Sequence, residues 1–362
     1  MAPESRLERI LFAGGGTGGH VYMAIAVAQA LSDRHPGAEI VFAGTRQGLE
    51  SRIVPRFGYR LETIRIGGLK NVGIGRLART LWQLPASTLT SLRIVRRLRP
   101  QVVAGVGGYS SGPLVLASAL MRIPALIIEP NVHPGLANRL LKRLIRKAAV
   151  AYEETARSFG RKAVLTGVPI REEFFHQRDH DFRRETLTVL VFGGSRGSRP
   201  LNQLILDALP ELGSLSLHLI HQTGPEHFDA VVEGYRLRHF DGGEVLPYID
   251  DMPRFFDRAD LIVSRAGAST IAEITAAGRP ALLVPFPHAA DDHQTKNARA
   301  LESRGAAVTL PERATSGRIL AETIRGLEAD RRRLEKMAES SRSTGRRGAA
   351  RAVAQLMEEI AA

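Results

Sequence analysis

The chain has no cysteine in 362 residues. Disulfides, thiolate nucleophiles and Cys-built zinc sites are therefore excluded, and the composition fits a reducing cytoplasm. An export signal is also missing: MAPESRLERILFAGGG has no charged-then-apolar pattern. Long hydrophobic runs are scarce. From Val102 to Met121 the chain carries no charge, but VVAGVGGYSSGPLVLASALM holds glycines, serines and a proline. It reads as strand, Gly-rich turn and helix, not as a membrane span. Acidic residues are scarce in one place only. Between Thr63 and Tyr152 there are 14 Lys or Arg and a single acid, Glu129, so this stretch holds the whole net charge of +13. A basic excess confined to one segment implies a localised anionic partner: phosphate, membrane surface or nucleic acid.

What is present is a globular balance, with 44% hydrophobic and 24% charged residues, and a length that suggests two domains. An apolar run, Ile10–Ala13, leads into Gly14-Gly15-Gly16-Thr17-Gly18-Gly19-His20 and then a helix-period stretch to Leu31. The pattern recurs at Thr188–Phe192, Gly193-Gly194-Ser195-Arg196-Gly197 and Leu201–Leu209. Both copies are strand, glycine turn, helix, as in a Rossmann-like half. Further strands are expected at Glu39–Ala43, Val102–Val106, Ala125–Ile128, Leu217–His221, Leu261–Val263 and Ala281–Val284. Alternation with helices predicts an α/β chain with parallel sheets. Thr166–Arg171, TGVPIR, reads as an interdomain hinge, and a last helix is expected at Ala349–Ile360.

The first glycine turn fits G-x-G-x-x-G, which suits a pyrophosphate. The second predicted strand, however, ends in Gly44-Thr45-Arg46 and carries no acid for a ribose, which disfavours nicotinamide dinucleotides. His20 follows the turn at a helix start, which should keep its imidazole neutral near pH 7. It reads either as a general base or as a packing residue. GGSRG, with Ser195, offers a second phosphate cradle. A third lies at Ser264–Thr270, where a helix start follows the strand LIV. Glu273 is either the second half of a Thr270-x-x-Glu273 capping box or a bidentate acceptor for two ribose hydroxyls. Asp250-Asp251 and Asp291-Asp292 lack metal-ligand spacing, and Asp251 reads as an N-cap. No protein-held metal and no cofactor are expected. Ile74, Leu77, Ala78, Leu81 and Trp82, flanked by Lys70, Arg76 and Arg79, form an amphipathic pattern. It suits either a core-facing helix or one lying on a membrane surface.

Taken in order, AGGGTGGHVY, GVGGYSSGP, EPNVHPGLANRLL, TGVPIR, VFGGSRGSRPLN, HQTG, the run from YIDDMP to VPFP, and DDHQTKNA resemble one family almost end to end. It is the MurG family, the UDP-N-acetylglucosamine–N-acetylmuramyl-(pentapeptide) pyrophosphoryl-undecaprenol N-acetylglucosamine transferases. The resemblance implies a GT-B fold, two Rossmann-like domains with parallel sheets facing a central cleft. The implied division is an acceptor- and membrane-facing domain (1–168), a UDP-sugar donor domain (169–342) and a C-terminal helix (343–362) returning to the first domain. It implies inverting transfer of GlcNAc from UDP-GlcNAc to the C4 hydroxyl of the MurNAc of lipid I, giving lipid II. Donor contacts would come from Thr17, Gly18, Gly19, Asn131, Arg171, Ser195, Ile249, Ala268, Ser269, Thr270, Ile271, Ala272, Glu273 and Gln294. His20 and Glu129 would be catalytic, with Tyr109 and Asn202 on the acceptor side. The implied partners are UDP-GlcNAc, lipid I, an anionic membrane surface at the cytoplasmic face and other cell-wall synthesis proteins, with no nucleic acid. Three positions depart from the family pattern: Met23 where Pro is frequent, and Pro130 and Arg196 where Gln is frequent. Two rivals fit parts of the sequence: a UDP-sugar 2-epimerase on the same fold, and a basic adaptor that would leave the glycines unexplained.

Overall fold

The computed structural model describes residues 6–64, 74–108, 110–178, 181–182, 184–289 and 292–362, apart from the side chains of 74–84 and 136. Lys70, Tyr109 and Asp291 lie outside the described residues, as do the side chains of the Ile74–Trp82 stretch.

The first unit holds β1 (Arg9–Gly14), α1 (Gly18–Arg34), β2 (Glu39–Thr45), α2 (Glu50–Arg56), β3 (Arg60–Ile64), α3 (Ile74–Leu98), β4 (Val102–Gly107), α4 (Ser111–Leu120), β5 (Ala125–Glu129), α5 (Leu136–Leu141), β6 (Lys147–Val150), α6 (Glu153–Phe159) and β7 (Ala163–Leu165). Its seven strands pair in parallel in the order β3-β2-β1-β4-β5-β6-β7. Successive side chains on a strand face opposite ways. Ile10 and Phe12 accordingly join one buried cluster with Ile25 and Leu31 of α1. Leu11 and Ala13 join another with Val95 of α3 and Leu114 of α4. Helices on both faces explain why β1 and β4 read as unbroken apolar runs.

The second unit holds β8 (Leu187–Phe192), α7 (Arg199–Leu212), β9 (Leu217–Gln222), α8 (Phe228–Leu237), β10 (Gly243–Leu246), α9 (Met252–Arg258), β11 (Leu261–Ser264), α10 (Ala268–Ala277), β12 (Ala281–Leu283), α11 (His293–Glu302), β13 (Ala307–Thr309), α12 (Gly317–Ala329) and α13 (Arg331–Thr344). Its parallel sheet runs β10-β9-β8-β11-β12-β13. Val189 and Val191 pack with Leu201 and Ile205 of α7, Ile324 of α12 and Leu334 of α13.

A last helix, α14 (Ala349–Ala361), belongs to the first unit. The units are Met1–Arg171 with Gly348–Ala362, and Glu172–Arg347. A boundary at 342/343 would cut α13, which continues to Thr344. The break comes at Gly348, whose φ of 84° suits a residue without Cβ. Val353, Ala354 and Met357 of α14 enter the core with Ile25 and Leu31. Among the described residues no helix is long and apolar enough to cross a membrane.

Glu358 anchors α14 to the C-terminal end of α1. Its carboxylate accepts from Arg34 Nε at 2.6 Å and Nη2 at 2.7 Å, and it meets His35 Nε2 at 2.8 Å. Burial pushes the Glu358 carboxyl up, but these bonds outweigh it and hold the group below its ordinary value. A carboxyl depressed in the folded state stabilises above its unfolded pKa, and that contribution is lost as pH falls through the folded value. Glu358→Gln is therefore expected to lower stability by about 1–2 kcal/mol at neutral pH, since Arg34 is half exposed. The deficit should shrink at acid pH. Urea unfolding of both proteins at pH 7 and pH 3 checks it, and an equal deficit at both would contradict it.

Candidate active site

In open parallel α/β sheets, functional residues gather beyond the carboxyl ends of the strands. In the first unit, β1 ends at Gly14 and β4 at Gly107, and the two turns interlock. Gly15 N–H donates to the Gly107 carbonyl at 3.3 Å. Gly107 and Gly108 have φ of 95° and 79°, and a Cβ on Gly108 would overlap the Gly15 carbonyl. Side chains are excluded here by crowding as well as by backbone conformation.

His20 lies in the first turn of α1, with its ring against Gly107. Its Nδ1 pairs with Thr17 Oγ1 at 3.0 Å. Burial holds the imidazole below its ordinary 6.5, while Glu129, a bond to the Gly15 backbone and Glu50 act in the opposite direction. The ring is neutral near pH 7, as the sequence suggests. The main cause is desolvation, whereas the sequence reading invoked the helix start.

Glu129, at the end of β5, is buried and filled. Oε1 accepts from Asn131 N–H at 3.1 Å and Asn131 Nδ2 at 3.0 Å. Oε2 accepts from Gly135 N–H at 2.8 Å and Asn138 Nδ2 at 2.9 Å. A carboxylate has about four acceptor sites, so these donors occupy it. The carboxylate expected to be catalytic thus holds the loop that carries Asn131. Arg171, the last residue of this unit, is buried with its guanidinium 4.7 Å from the centre of the Tyr22 ring.

Sequence reasoning missed Glu50. It looks like an ordinary acid in the first turn of α2, yet it is buried at 1% exposure. Its carboxylate accepts from Gly16 N–H at 2.7 Å, Thr45 N–H at 2.6 Å and Thr45 Oγ1 at 2.8 Å. A Cβ on Gly15, Gly44 or Gly48 would fall on it. An internal anion thus uses an amide that a dinucleotide phosphate would need. The first turn, expected to cradle a pyrophosphate, has this amide already engaged.

In the second unit, Gly197 and Gly224, with φ of 73° and 83°, lock the turns after β8 and β9 together. A Cβ on Gly197 would strike the Thr223 carbonyl, and one on Gly224 the Arg196 carbonyl. Asn202, expected on the acceptor side, is buried and ties these turns together. Its Nδ2 donates to the Thr223 carbonyl at 2.9 Å, and Oδ1 meets His221 Nε2 at 3.2 Å. Burial takes His221 to about 3, so it is neutral there. Ser195 lies partly exposed in the turn itself.

Gly267, which has no side chain to cap with, occupies the N-cap of α10. This corrects the capping-box alternative, because Thr270 is already inside the helix and Glu273 lies a turn beyond the first amides. Ser269 to Glu273 are partly exposed. Residues three and four apart share a helix face, so Ser269, Thr270 and Glu273 present polar groups together.

The strand-to-helix turn before α10 is held from α11. Gln294 Oε1 accepts from Ala266 N–H at 3.2 Å and Phe286 N–H at 3.0 Å, and Asn297 Nδ2 donates to the Ala266 carbonyl at 3.1 Å. Arg265, to which the sequence reading gave no role, ties this turn to the glycine turn. Its Nη2 and Nε donate to Ser198 Oγ at 2.7 and 3.2 Å, Nη1 donates to the Val284 carbonyl at 3.0 Å, and it pairs with Glu312. Ile249 is buried in the stretch after β10. Asp251 stands at the N-cap of α9 without a side-chain capping bond. Among the described residues no three or more His, Asp or Glu are grouped to hold a metal ion.

Two family models match: the glycosyltransferase family 28 N-terminal domain over residues 10–150 and its C-terminal domain over 188–356. A Myxococcus xanthus (strain DK1622) relative is 45% identical over 359 residues, covering 98% of this chain and 93% of its own. It is named UDP-N-acetylglucosamine–N-acetylmuramyl-(pentapeptide) pyrophosphoryl-undecaprenol N-acetylglucosamine transferase. The chain belongs to the MurG family. A solved MurG structure from Acinetobacter baumannii is 30% identical with a TM-score of 0.73, over 97% of this chain and 99% of that one. The GT-B fold of the family is thus the fold of this chain. A Neisseria meningitidis UDP-GlcNAc 2-epimerase bound to UDP-GlcNAc is 12% identical with a TM-score of 0.67, over 97% of this chain and 100% of that one. At that identity the likeness is one of fold alone.

Proposed function

We propose that this MurG-family chain transfers GlcNAc from UDP-GlcNAc to the C4 hydroxyl of the MurNAc of lipid I, with inversion, to give lipid II. The observation that carries the reading is the start of α10, a helix N-terminus opened by Gly267 with the Glu273 carboxylate one turn behind it. Such a terminus favours a diphosphate through its amides and partial positive charge. Glu273 at that spacing takes the two ribose hydroxyls. Ile249 offers backbone groups to uracil, and the Gln294 NH2 reads sugar hydroxyls. Ser195 and Gly194 belong to the same donor-holding unit.

In the first unit His20 takes the proton of the attacking hydroxyl while the bond from C1 to the diphosphate breaks. UDP leaves with its developing charge on the α10 amides. Thr17, Gly18 and Gly19 hold the turn from which His20 projects, and Glu129 shapes the Asn131 loop. Tyr109 is proposed to contact the acceptor. The basic stretch from Thr63 to Tyr152 meets the acceptor's pyrophosphate and an anionic leaflet, placing the chain peripherally at the cytoplasmic membrane face. Each Lys or Arg there contributes about 1 kcal/mol to that attraction.

Incubation with UDP-GlcNAc and lipid I, followed by chromatography of the lipid product, tests the reading. A disaccharide-linked lipid and stoichiometric UDP are expected. Folded protein that forms neither would overturn it, and turnover of UDP-GlcNAc to its 2-epimer without acceptor would favour the epimerase reading.

A further inference from the structure

Glu50, in the first turn of α2, is a buried acid against the first unit's glycine turns for which the mechanism above has no use. Three observations give it a role. It bonds simultaneously to the turn after β1, through Gly16 N–H, and to the end of β2, through Thr45 N–H and Oγ1. A side chain at position 15, 44 or 48 would strike its carboxylate, so glycine at these positions makes its room. The turn it fixes carries the Thr17 hydroxyl that meets His20 Nδ1 at 3.0 Å and the Gly15 backbone that acts on the same ring. A carboxylate placed at a turn in this way does two things. It fixes the backbone that orients the imidazole, and it adds negative charge that favours the imidazolium formed when the base takes its proton.

We propose that Glu50 is a positioning residue of the transfer reaction, acting through the Gly14–Thr17 turn on the orientation and basicity of His20. This rests on reading His20 as the base. The charged groups acting on the ring among the described residues are Glu129 from the end of β5 and Glu50 from α2. Glu129 is unchanged in the variants below, so a change in the ring reports on Glu50.

The test is Glu50→Gln in the full chain, which keeps the shape and removes the charge. Three readouts are taken: kcat, KM for UDP-GlcNAc, and the titration of the His20 ring followed by 1H–15N correlation. The His20 signal is assigned by its loss in His20→Gln. The expected result is a fall in kcat of about tenfold or more, as for a misplaced catalytic group, with KM within about twofold and the His20 titration moved to lower pH. Glu50→Asp restores the titration but only part of kcat, because the shorter side chain cannot reach Gly16 and Thr45 together. Unchanged kcat with an unmoved titration overturns the proposal. A moved titration in Glu50→Gln with full activity in His20→Gln would instead sink the base reading while leaving the tie from Glu50 to His20 standing. If Glu50→Gln does not fold, Thr45→Val carries the test. It removes one of the three bonds without changing charge, and is expected to lower kcat about threefold at constant KM. Wild-type kcat in a folded Thr45→Val would overturn the proposal.

Discussion

His20→Ala is expected to lower kcat by about a hundredfold or more, the usual contribution of a positioned general base. KM for UDP-GlcNAc should stay within about twofold, because the donor contacts proposed for α10 are untouched. The reasoning rests on protonation as well as position. Burial holds the imidazole below its ordinary 6.5. The neutral, proton-accepting form therefore predominates at pH 7 and persists as pH falls through 6.5. The rate of the wild type should stay level through that value and fall only at lower pH, where the ring charges. Steady-state kinetics of both proteins between pH 5 and 8 measure this. A near-normal rate in His20→Ala, or an acid limb centred above 6.5 in the wild type, would reassign the base.

Glu273→Ala should act on the other parameter. If both carboxylate oxygens bind ribose hydroxyls, their loss removes charge-assisted hydrogen bonds of about 1.5–3 kcal/mol each. At about 1.4 kcal/mol per decade, KM for UDP-GlcNAc rises by one to two orders of magnitude or more. The ribose is remote from the reacting carbon, so kcat changes little. Glu273→Gln keeps one good acceptor and is expected to fall between the two. Titration calorimetry with UDP alone separates binding from turnover. Wild-type affinity in Glu273→Ala would remove this residue from the donor site.

Much of this architecture is legible in the sequence, for a physical reason. Strands buried on both faces are continuous apolar runs, and β1, β4, β5, β8 and β11 announce themselves in that way. The four edge strands do not. β3, β7, β10 and β13 each have one unpaired side and mixed exposure, so their apolar pattern is broken and sequence periodicity passes over them. β6, only Lys147–Val150, is too short to show a period.

The site divides along the same line. Glycine turns following apolar strands are local signals, and they locate His20, Ser195 and the α10 start. Glu50, Gln294, Asn297 and Arg265 act through contacts with turns elsewhere in the fold. Glu50 meets a turn 34 residues away, and Arg265 meets Ser198 from 67 residues away. No spacing rule encodes such pairs. Asn202 shows the same long-range dependence. The family resemblance places it on the acceptor side, while its amide satisfies the buried His221 and the Thr223 carbonyl, which would otherwise be left without partners at a cost. Glu273 was ambiguous until the N-cap was located at Gly267, one turn earlier than the capping box requires.

On this mechanism α10 holds the departing diphosphate, while the first glycine turn, occupied by Glu50, does not. A crystal structure with UDP-GlcNAc bound tests it most directly. Diphosphate oxygens are expected within hydrogen-bond distance of the Ala268–Thr270 amides, with both ribose hydroxyls on Glu273 and the Glu50 carboxylate still on Gly16. A diphosphate seated on Gly14–Gly16 with Glu50 displaced would contradict it.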